Sequence, residues 1–593
     1  MKDNHKNYSQ SFEGFETWWN EFQMTFKMHR KIILILICLH LLISSLAIFI
    51  FIEPKVLDST MQWVLAYFLW PTAHLTFRNP DGTIAHTTAG YIVQIPALKA
   101  VSIETLFRIR KVFLWCSLVY SLYPGFVILF KQRSTSQATK KHIRGTRLID
   151  IDEYKRDALK RNEDLDLPLG EAKMPVSAEP RHLFIVGQPG TGKTVCISQI
   201  IERLKDREEK GIILDFKGDY LSKFYNPETD LIFNPLDIRS LKWNLFNEIE
   251  TYMDVDAISA SLIPYSISNQ DPFWPDAARD VLAGILHYLY RHDRHTNKDI
   301  WSMLTADGPE IAARLKSTPE GHRGFRYIED ASSKQAMGVF STLMQYAKCM
   351  EYMALNDGPF SISNWLSHKK GMIFITNYAS VKDTLRPILS LFVDLLGRRL
   401  LSLPDSYERR VFMILDEFGS LQRLSSIISL LTTSRSKGGS ILISIQDYGQ
   451  LDKLYSKEHT QSILNSCGNF IVFAVDEQTA EISSKKIGES EFMEVERTRS
   501  MGVADYRDGT SLSERKKKEY LFLPSDIMSL PDLTAIVRIK GYHPFVTRFN
   551  YKKYPDLFEW FKMRPEFRMK AVLPEEISQN HDDCHGGALN VEK

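Results

Sequence analysis

The sequence predicts an α/β protein with a phosphate-binding loop at the edge of a parallel sheet, preceded by two transmembrane helices. Three observations lead to this fold class. Short apolar runs alternate with helical patterns from about residue 182 to residue 540, a glycine-rich motif directly follows the first run, and two long apolar stretches lie before residue 131. Alternating strands and helices are typical of doubly wound sheets, in which helices cover both faces of parallel strands.

Seven apolar runs are candidates for the strands of this sheet. Several are rich in isoleucine, valine and phenylalanine and end in small or polar residues, as buried parallel strands do. Between many of them, as at residues 385–401, apolar side chains recur with the period of a helix. The seven runs are residues 182–186, 211–216, 371–377, 411–415, 440–446, 469–475 and 535–540.

One interval of the chain, residues 254–354, lacks this alternation. It contains no convincing strand, whereas residues 276–291 and 333–350 have helical periodicity. We therefore expect an all-α domain that is inserted into the α/β domain.

The two apolar stretches before this region are residues 32–52 and 112–130. A helix of about 20 residues crosses the roughly 30 Å hydrocarbon core of a bilayer. Lys31 precedes the first stretch and Glu53 follows it, while Lys111 and Lys131 flank the second. The alternative for each is a buried core helix, and the second stretch carries two serines and a proline. The glycine-rich motif is typical of nucleotide-binding sites, and nucleotides are intracellular. Both termini are therefore expected to lie in the cytoplasm.

These observations divide the chain into segments. The predicted segments are a cytoplasmic N-terminus (1–31), a first transmembrane helix (32–52), a periplasmic loop (53–111), a second transmembrane helix (112–130), a linker (131–180), a nucleotide-binding domain (181–253 and 355–560), an all-α domain (254–354) and a C-terminal tail (561–593).

The composition limits the classes of function. Of the 593 residues, 44% are hydrophobic and 25% are charged, as in ordinary globular proteins. The formal net charge of +2 excludes a basic field over the whole surface, so a nucleic-acid site has to be a local patch. The six cysteines are scattered without the spacing of zinc ligands, which indicates a reducing compartment and no structural zinc.

The strongest motif has the pattern GxxxxGK[ST] and directly follows the first predicted strand. Glycines let the backbone wrap a phosphate, so that N–H groups and a helix N-terminus point at it. Lys193 is then expected to reach the β- and γ-phosphates of ATP, and Thr194 to ligate Mg²⁺. The residues of this loop are Gly187, Gln188, Pro189, Gly190, Thr191, Gly192, Lys193 and Thr194.

A second element, residues 411–417, ends a hydrophobic run with two acidic residues. Strand ends often carry acids, so this pattern gains its meaning from the phosphate-binding loop. Parallel strands end at the same edge of a sheet, which brings Asp416 beside the loop, where it can hold Mg²⁺. Glu417 is the candidate that polarises the attacking water.

Two residues further along complete the predicted site. Arg435 is a candidate arginine finger for the γ-phosphate on a neighbouring subunit, and Gln446 is a candidate γ-phosphate sensor at the end of its strand. The alternative for each is a surface arginine and a loop glutamine without a catalytic role.

Several segments beyond these motifs resemble the TraD/TraG-type coupling proteins of conjugative type IV secretion. The resemblance covers about residues 180–550 and extends to the order of the parts. It rests on LDFKGD at 214–219, FNPLD at 233–237, FW at 273–274, LDEFGSL at 415–421 and SIQ at 444–446.

The resemblance implies a RecA/FtsK-like P-loop NTPase fold and a homo-hexameric ring at the bacterial inner membrane. Such a protein receives single-stranded DNA with a bound relaxase and passes it to the inner-membrane components of the secretion channel, using ATP and Mg²⁺. The family's ATP site is formed at the positions that match Lys193, Thr194, Asp416, Glu417, Arg435 and Gln446.

Three other functions are alternatives to this one. An FtsK-like double-stranded DNA translocase tends to have more membrane spans and a winged-helix module, and neither is visible here. A receptor that uses ATP to recruit secreted protein effectors stays open. An ABC transporter lacks support because no LSGGQ-like signature lies between the two motifs. Two basic runs, Lys485–Lys486 and Arg515–Lys518, are candidates for DNA contacts, although each taken singly is more typical of a solvated surface.

Overall fold

A computed structural model describes residues 29–78, 83–125, 128, 141–265, 271–368, 370–500 and 509–568. The chain forms two compact units. The first consists of residues 1–141 with 494–515, and the second of residues 142–493 with 516–593. The end of the predicted tail, residues 569–593, lies outside the described residues.

The first unit begins with the helix His29–Phe51, which is long and apolar enough to cross a membrane. It is the one helix with that property among the described parts of the chain. An antiparallel pair of strands, β1 (His74–Arg78) and β2 (Ile84–Thr88), lies further along. The other helices of this unit are Pro54–Phe68, Ala89–Gln94 and Pro96–Cys116, followed by the 3₁₀ helix Ser117–Ser121.

The second predicted transmembrane helix is only partly described. Residues 112–116 end the helix Pro96–Cys116, and the chain then tightens into the 3₁₀ helix before residue 122. Residues 126–127 and 129–130 lie outside the described residues. The presence of one candidate membrane-spanning helix therefore stands, and the second stays a prediction.

The second unit is built around a nine-stranded sheet with the order β16-β15-β12-β6-β11-β10-β7-β9-β8. Strands from β12 to β8 are parallel, and β15 and β16 are antiparallel to them. The strands after β2 are β3 (Lys141–Gly145), β4 (Leu165–Leu169), β5 (Ala172–Pro175), β6 (Leu183–Val186), β7 (Lys210–Asp215), β8 (Leu231–Phe233), β9 (Met372–Thr376), β10 (Val411–Leu415), β11 (Gly439–Ile445), β12 (Asn469–Val472), β13 (Glu489–Ser500), β14 (Gly509–Tyr520), β15 (Thr534–Arg538) and β16 (Phe545–Arg548).

All seven predicted runs are strands of this sheet, which confirms the α/β fold class. Six of them, β6, β7 and β9–β12, are parallel and buried on both faces, which is why they appear as unbroken apolar runs. The seventh run is β15, which pairs antiparallel with β12 and so departs from the parallel strands of a doubly wound sheet.

Helices cover both faces of the sheet, and their apolar side chains form two large clusters with its strands.

Between β8 and β9 the described residues form helices and no strand. Residues 141–180, expected to be part of a linker, include a helix and the β4–β5 pair. The helices are Ile151–Lys160, Lys193–Asp206, Leu221–Phe224, Tyr252–Leu262, Phe273–Arg291, Asn297–Leu304, Gly308–Lys316, His322–Ile328, Lys334–Ala347, Met350–Met353, Ile362–His368, Lys382–Ser402, Ile427–Thr433, Tyr448–Tyr455, Lys457–Ser466, Glu477–Ile487 and Pro524–Met528.

Candidate functional site

The phosphate-binding loop lies between the end of β6 and the helix Lys193–Asp206. Two of its glycines have positive φ angles, +85° at Gly190 and +124° at Gly192, which residues with a Cβ rarely adopt. A Cβ at Gly192 would lie 3.0 Å from the ring of Phe473, whereas a Cβ at Gly190 would meet no atom within 4 Å. The loop is therefore packed on one side and open on the other, where its backbone is accessible to a ligand.

Three other loop residues, Gly187, Gln188 and Thr191, do not line the cavity beside the loop. A Cβ at Gly187 would lie 2.7 Å from Cβ of Phe473, so only glycine fits there. The hydroxyl of Thr191 donates to the carbonyl oxygen of Gln188 over 2.8 Å. Gly187 and Thr191 therefore stabilise the conformation of the loop without lining the cavity.

Lys193 begins the helix, and its side chain is buried. The ammonium donates to the carbonyl oxygens of Gly187 and, over 2.9 Å, of Gln188. Burial lowers the pKa of Lys193, and the nearby carboxylates of Asp416 and Glu417 oppose this shift. Among the described residues no carboxylate forms an ion pair with this ammonium, so its positive charge lies over the loop and is available to phosphate.

Asp416 follows β10, the strand between β11 and β7 in the sheet. Its Oδ2 accepts a hydrogen bond of 2.8 Å from the hydroxyl of the buried Tyr220. Burial raises the pKa of Asp416, while the hydrogen bond from Tyr220 opposes this shift. A partly buried carboxylate of this kind is stabilised by a bound cation, as a Mg²⁺ site beside a phosphate loop requires.

Glu417 has a left-handed backbone conformation, with φ +50° and ψ +46°. This conformation is uncommon for a residue other than glycine and often marks a functional constraint. The Oε1 of Glu417 lies 2.9 Å from Nζ of Lys217, and this ion pair raises the pKa of the Lys217 ammonium. The predicted catalytic carboxylate therefore has a cationic partner in Lys217.

The structure brings Gln446 to the cavity but not Arg435. Gln446 follows the carboxyl end of β11 and lines the cavity with the loop and the two acids. Arg435 lies in the 3₁₀ helix Ser434–Lys437, before the first residue of β11, and is exposed. The 7 residues of β11 lie between Arg435 and Gln446. Arg435 is therefore at the opposite end of the strand, roughly 20 Å from Gln446 at about 3.3 Å per residue.

The resulting cavity has a volume of about 430 Å³. We call it the nucleotide cavity. Eight of the predicted site residues line it, and they are Pro189, Gly190, Gly192, Lys193, Thr194, Asp416, Glu417 and Gln446.

Sequence reasoning missed the other walls of the cavity. Asp215 and Asp219 lie at and after the end of β7, inside the segment 214–219 that carried the family resemblance but had no assigned role, and Tyr220 directly follows it. Leu533 and Tyr551 come from the C-terminal part of the chain, where no motif indicated them. The backbone N–H of Leu533 donates to the carbonyl of Thr191 over 2.8 Å, and its φ is +61°. This segment therefore closes the cavity against the loop.

The residues present fit a nucleoside triphosphate with Mg²⁺. An open loop at a helix N-terminus suits phosphate, Lys193 supplies a cation, and Thr194 and Asp416 supply oxygen atoms for Mg²⁺. Among the described residues no group of three or more His, Cys, Asp or Glu side chains can hold a metal ion. Mg²⁺ at phosphate loops takes few protein ligands and completes its shell with water and phosphate oxygens.

Comparison with known proteins places these features in a family. Residues 167–550 match the family described as the type IV secretion-system coupling protein DNA-binding domain. Coupling protein TraD of Escherichia coli (strain K12) is 28% identical over 498 residues, which are 78% of this chain and 67% of TraD. Protein VirD4 of Rhizobium radiobacter is 25% identical over 471 residues, which are 73% of this chain and 67% of VirD4.

Solved structures of relatives have the same fold. The bacterial conjugative coupling protein TrwBdeltaN70, in its unbound monoclinic form, superposes with a TM-score of 0.64 at 27% identity and covers 72% of this chain and 97% of TrwB. Plasmid coupling protein TrwB in complex with ADP and Mg²⁺ gives a TM-score of 0.63 at 27% identity, with coverages of 72% and 98%. Since the family match spans more than half of its residues, the chain belongs to the type IV secretion-system coupling protein family.

Proposed function

We propose that this protein is an inner-membrane ATPase that couples relaxase-bound single-stranded DNA to a type IV secretion channel during bacterial conjugation. The observation that carries this proposal is the nucleotide cavity, whose lining residues, apart from Tyr551, lie inside the matched family region. Relatives named coupling proteins support the cellular role, and TrwB structures with ADP and Mg²⁺ or with the non-hydrolysable ATP analogue ADPNP support the ligands.

ATP and Mg²⁺ are the cofactors for which the cavity is suited. The loop backbone and Lys193 bind the phosphates, while Thr194 and Asp416 hold the metal ion, which neutralises phosphate charge when it is bound. Glu417 orients a water molecule and accepts its proton. The ion pair with Lys217 holds the Glu417 side chain before this step. Gln446 follows the neighbouring strand β11 and lines the cavity. It acts as the γ-phosphate sensor, which responds to the presence of that phosphate.

The position of Arg435 supports assembly into a ring. This exposed arginine lies too far from its own nucleotide cavity to act there. On a homo-hexamer it would reach the cavity of the adjacent subunit and stabilise the charge that develops on the γ-phosphate. Hydrolysis would then depend on oligomer formation.

The first unit is proposed to anchor the protein by two membrane spans. The ring of His29 contacts the ring of Tyr123 with centroids 5.8 Å apart, and the ring of His40 contacts that of Phe113 at 4.4 Å. The helix His29–Phe51 therefore runs antiparallel to residues 113–123, as expected for a hairpin with both termini in the cytoplasm. A reporter fused near residue 80 should be periplasmic and one after residue 140 cytoplasmic, and two reporters on the same side would contradict the hairpin.

The substitution Lys193→Ala tests the proposed function. It removes the cation nearest to the phosphates, so ATP hydrolysis should fall by about 10²–10³-fold or more and DNA transfer should stop. Hydrolysis is measured on the purified full chain and transfer by mating of cells that carry the variant. Lys173→Ala, at an exposed position on β5, is the matched control and should keep both activities. Normal transfer by the Lys193→Ala protein at equal expression would overturn the proposal.

A further inference from the structure

A second cavity, of about 740 Å³, lies over the segments that follow β9, β10 and β11. It is larger than the nucleotide cavity and shares no lining residue with it. We call it the basic cleft, after its four cationic side chains. These are Lys348, Arg386, Arg423 and Lys453.

The charge of the basic cleft is strongly one-sided. Its cations come from four separate elements, and the one carboxylate that lines it, Asp383, pairs with Arg386. Lys348 and Lys453 are exposed, and neither has an ion pair among the residues that the structure describes. The Nε of Arg386 is buried and, within the described chain, lacks a hydrogen-bond acceptor. Convergent like charges repel one another, so such a set is stabilised by an anionic ligand.

Aromatic side chains accompany these cations. Tyr265 and Tyr346 line the basic cleft, and Tyr265 is 54% exposed. On one face its ring contacts the guanidinium of Arg279, 3.9 Å from the ring centroid. Cations together with an accessible aromatic face are the combination by which proteins bind single strands, since phosphates pair with the cations and bases stack on the rings.

The loop after β10 connects the basic cleft to the predicted catalytic acids. Gln422 lines the cleft and lies six positions after Asp416 on the same loop. Its Nε2 donates to the carbonyl oxygens of Ser261 and Leu262 over 2.8 and 3.0 Å, and its backbone N–H donates to the hydroxyl of Ser390 over 3.0 Å. The segment after β10 is thus fixed to the helical region, and a ligand in the cleft contacts the segment that carries the acids.

We propose that the basic cleft binds the phosphodiester backbone of a single DNA strand, with Lys348 and Lys453 as two of its phosphate contacts. The inference rests on the proposed function, because it assigns a place on this chain to the DNA. The contacts are to phosphates and base faces, so affinity should depend little on base sequence and strongly on salt.

The double substitution Lys348→Ala with Lys453→Ala tests this site. Binding of a fluorescent oligothymidylate to the full chain in detergent is measured by anisotropy over a range of salt concentrations. Each lost phosphate contact on a single strand lowers the slope of log K against log [salt] by about 0.7, so the slope should fall by about 1.4 and affinity by about tenfold at physiological salt. Stimulation of ATP hydrolysis by DNA should fall with it.

The control removes the same charge elsewhere, with Lys173→Ala and Lys370→Ala at two exposed positions outside the basic cleft. It should keep the slope and affinity of the unmodified protein, and the unfolding midpoint of each variant checks its folding. Equal slopes for the cleft variant and the unmodified protein would overturn the cleft as the DNA site and leave the proposed function intact. Absence of DNA binding by the unmodified protein would overturn both.

Discussion

The nucleotide cavity and the basic cleft open at the same edge of one sheet, but their charges are opposite. Five carboxylates and two lysines line the first, whereas four cations and one carboxylate line the second. Carboxylates suit a site whose polyanionic ligand arrives with a divalent cation, because the cation has to be held as well as the phosphates. A site whose single carboxylate is already paired with an arginine suits an anion whose only counterions are exchangeable salt.

The two sites also differ in how the sequence encodes them. The nucleotide cavity takes most of its phosphate-binding groups from eight consecutive residues, because a backbone loop and a helix N-terminus are local structures. The basic cleft takes one cation from each of four elements that only the fold brings together. Local motifs are therefore readable in a sequence, while a convergent surface is not.

The two sites are joined by the loop that follows β10. Asp416 and Glu417 begin this loop, and Gln422 continues it into the basic cleft. Buried Asp394 strengthens the connection, because it accepts hydrogen bonds from the hydroxyls of Ser261 and Ser426. The opposite charges of the two sites thus direct each ligand to its own site. The loop after β10 allows a ligand at one site to affect the other site.

The largest expected effect is on ATP hydrolysis. The basic cleft is formed within one chain, and the question is whether the catalytic residues of the nucleotide cavity are as well. Arg435 lies outside it, so we expect Arg435→Ala to bind ATP normally and to hydrolyse it roughly 10³–10⁵-fold more slowly. Binding is measured by titration with a fluorescent ATP analogue and hydrolysis by phosphate release. Arg409→Ala serves as the control, since this arginine precedes the neighbouring strand β10 at the same edge of the sheet.

Mixing distinguishes an arginine that acts on a neighbour from one that acts on its own site. In oligomers of Arg435→Ala with an excess of Lys193→Ala, some interfaces combine an intact loop with an intact arginine, so part of the activity should return. If mixed oligomers form and no activity returns, Arg435 acts within its own subunit or has no part in catalysis.

The same distinction between local and convergent structure explains which parts of the fold could be predicted. The strands buried on both faces are continuous apolar runs, and all of the predicted ones are present. Strand β8 has three residues and β16 alternates in burial, so neither forms such a run. In residues 141–180 the helix Ile151–Lys160 is mostly charged, and its apolar contacts come from distant segments, which is why this part resembled a linker.

The predicted site shows the same limit. The loop, both acids and Gln446 could be placed because they follow strands that end at one edge of a parallel sheet. Leu533 and Tyr551 reach the cavity through the antiparallel strands β15 and β16, and no pattern near them indicates a nucleotide. Lys217 was part of a quoted segment, but its ion pair with Glu417 depends on the left-handed turn at Glu417, which the sequence does not reveal.

The smallest expected effect is a pH dependence of stability caused by the acidic character of the nucleotide cavity. Asp215 is buried at the end of β7, and its Oδ2 accepts backbone N–H bonds of 2.9 and 2.7 Å from Tyr220 and Leu221. Burial raises the pKa of Asp215 to about 7, and the carboxylates of Asp219 and Asp416 add to this shift. An unfolded chain has an Asp pKa of about 3.9, so between these values the folded state binds more protons than the unfolded state.

Stability should therefore be lost as the pH rises from about 4 through 7, by at most roughly 4 kcal/mol, because one pKa unit corresponds to about 1.4 kcal/mol. Asp215→Asn stays neutral over this range while its amide oxygen still accepts both N–H bonds. The thermal unfolding midpoint of the unmodified protein should consequently fall relative to that of Asp215→Asn between pH 5 and pH 8. Mg²⁺ with ATP should reduce the difference, because a cation in the cavity stabilises its carboxylates. Parallel pH profiles of the two proteins would show that Asp215 is ionised throughout, and that the carboxylates of this cavity need no bound cation to stay charged.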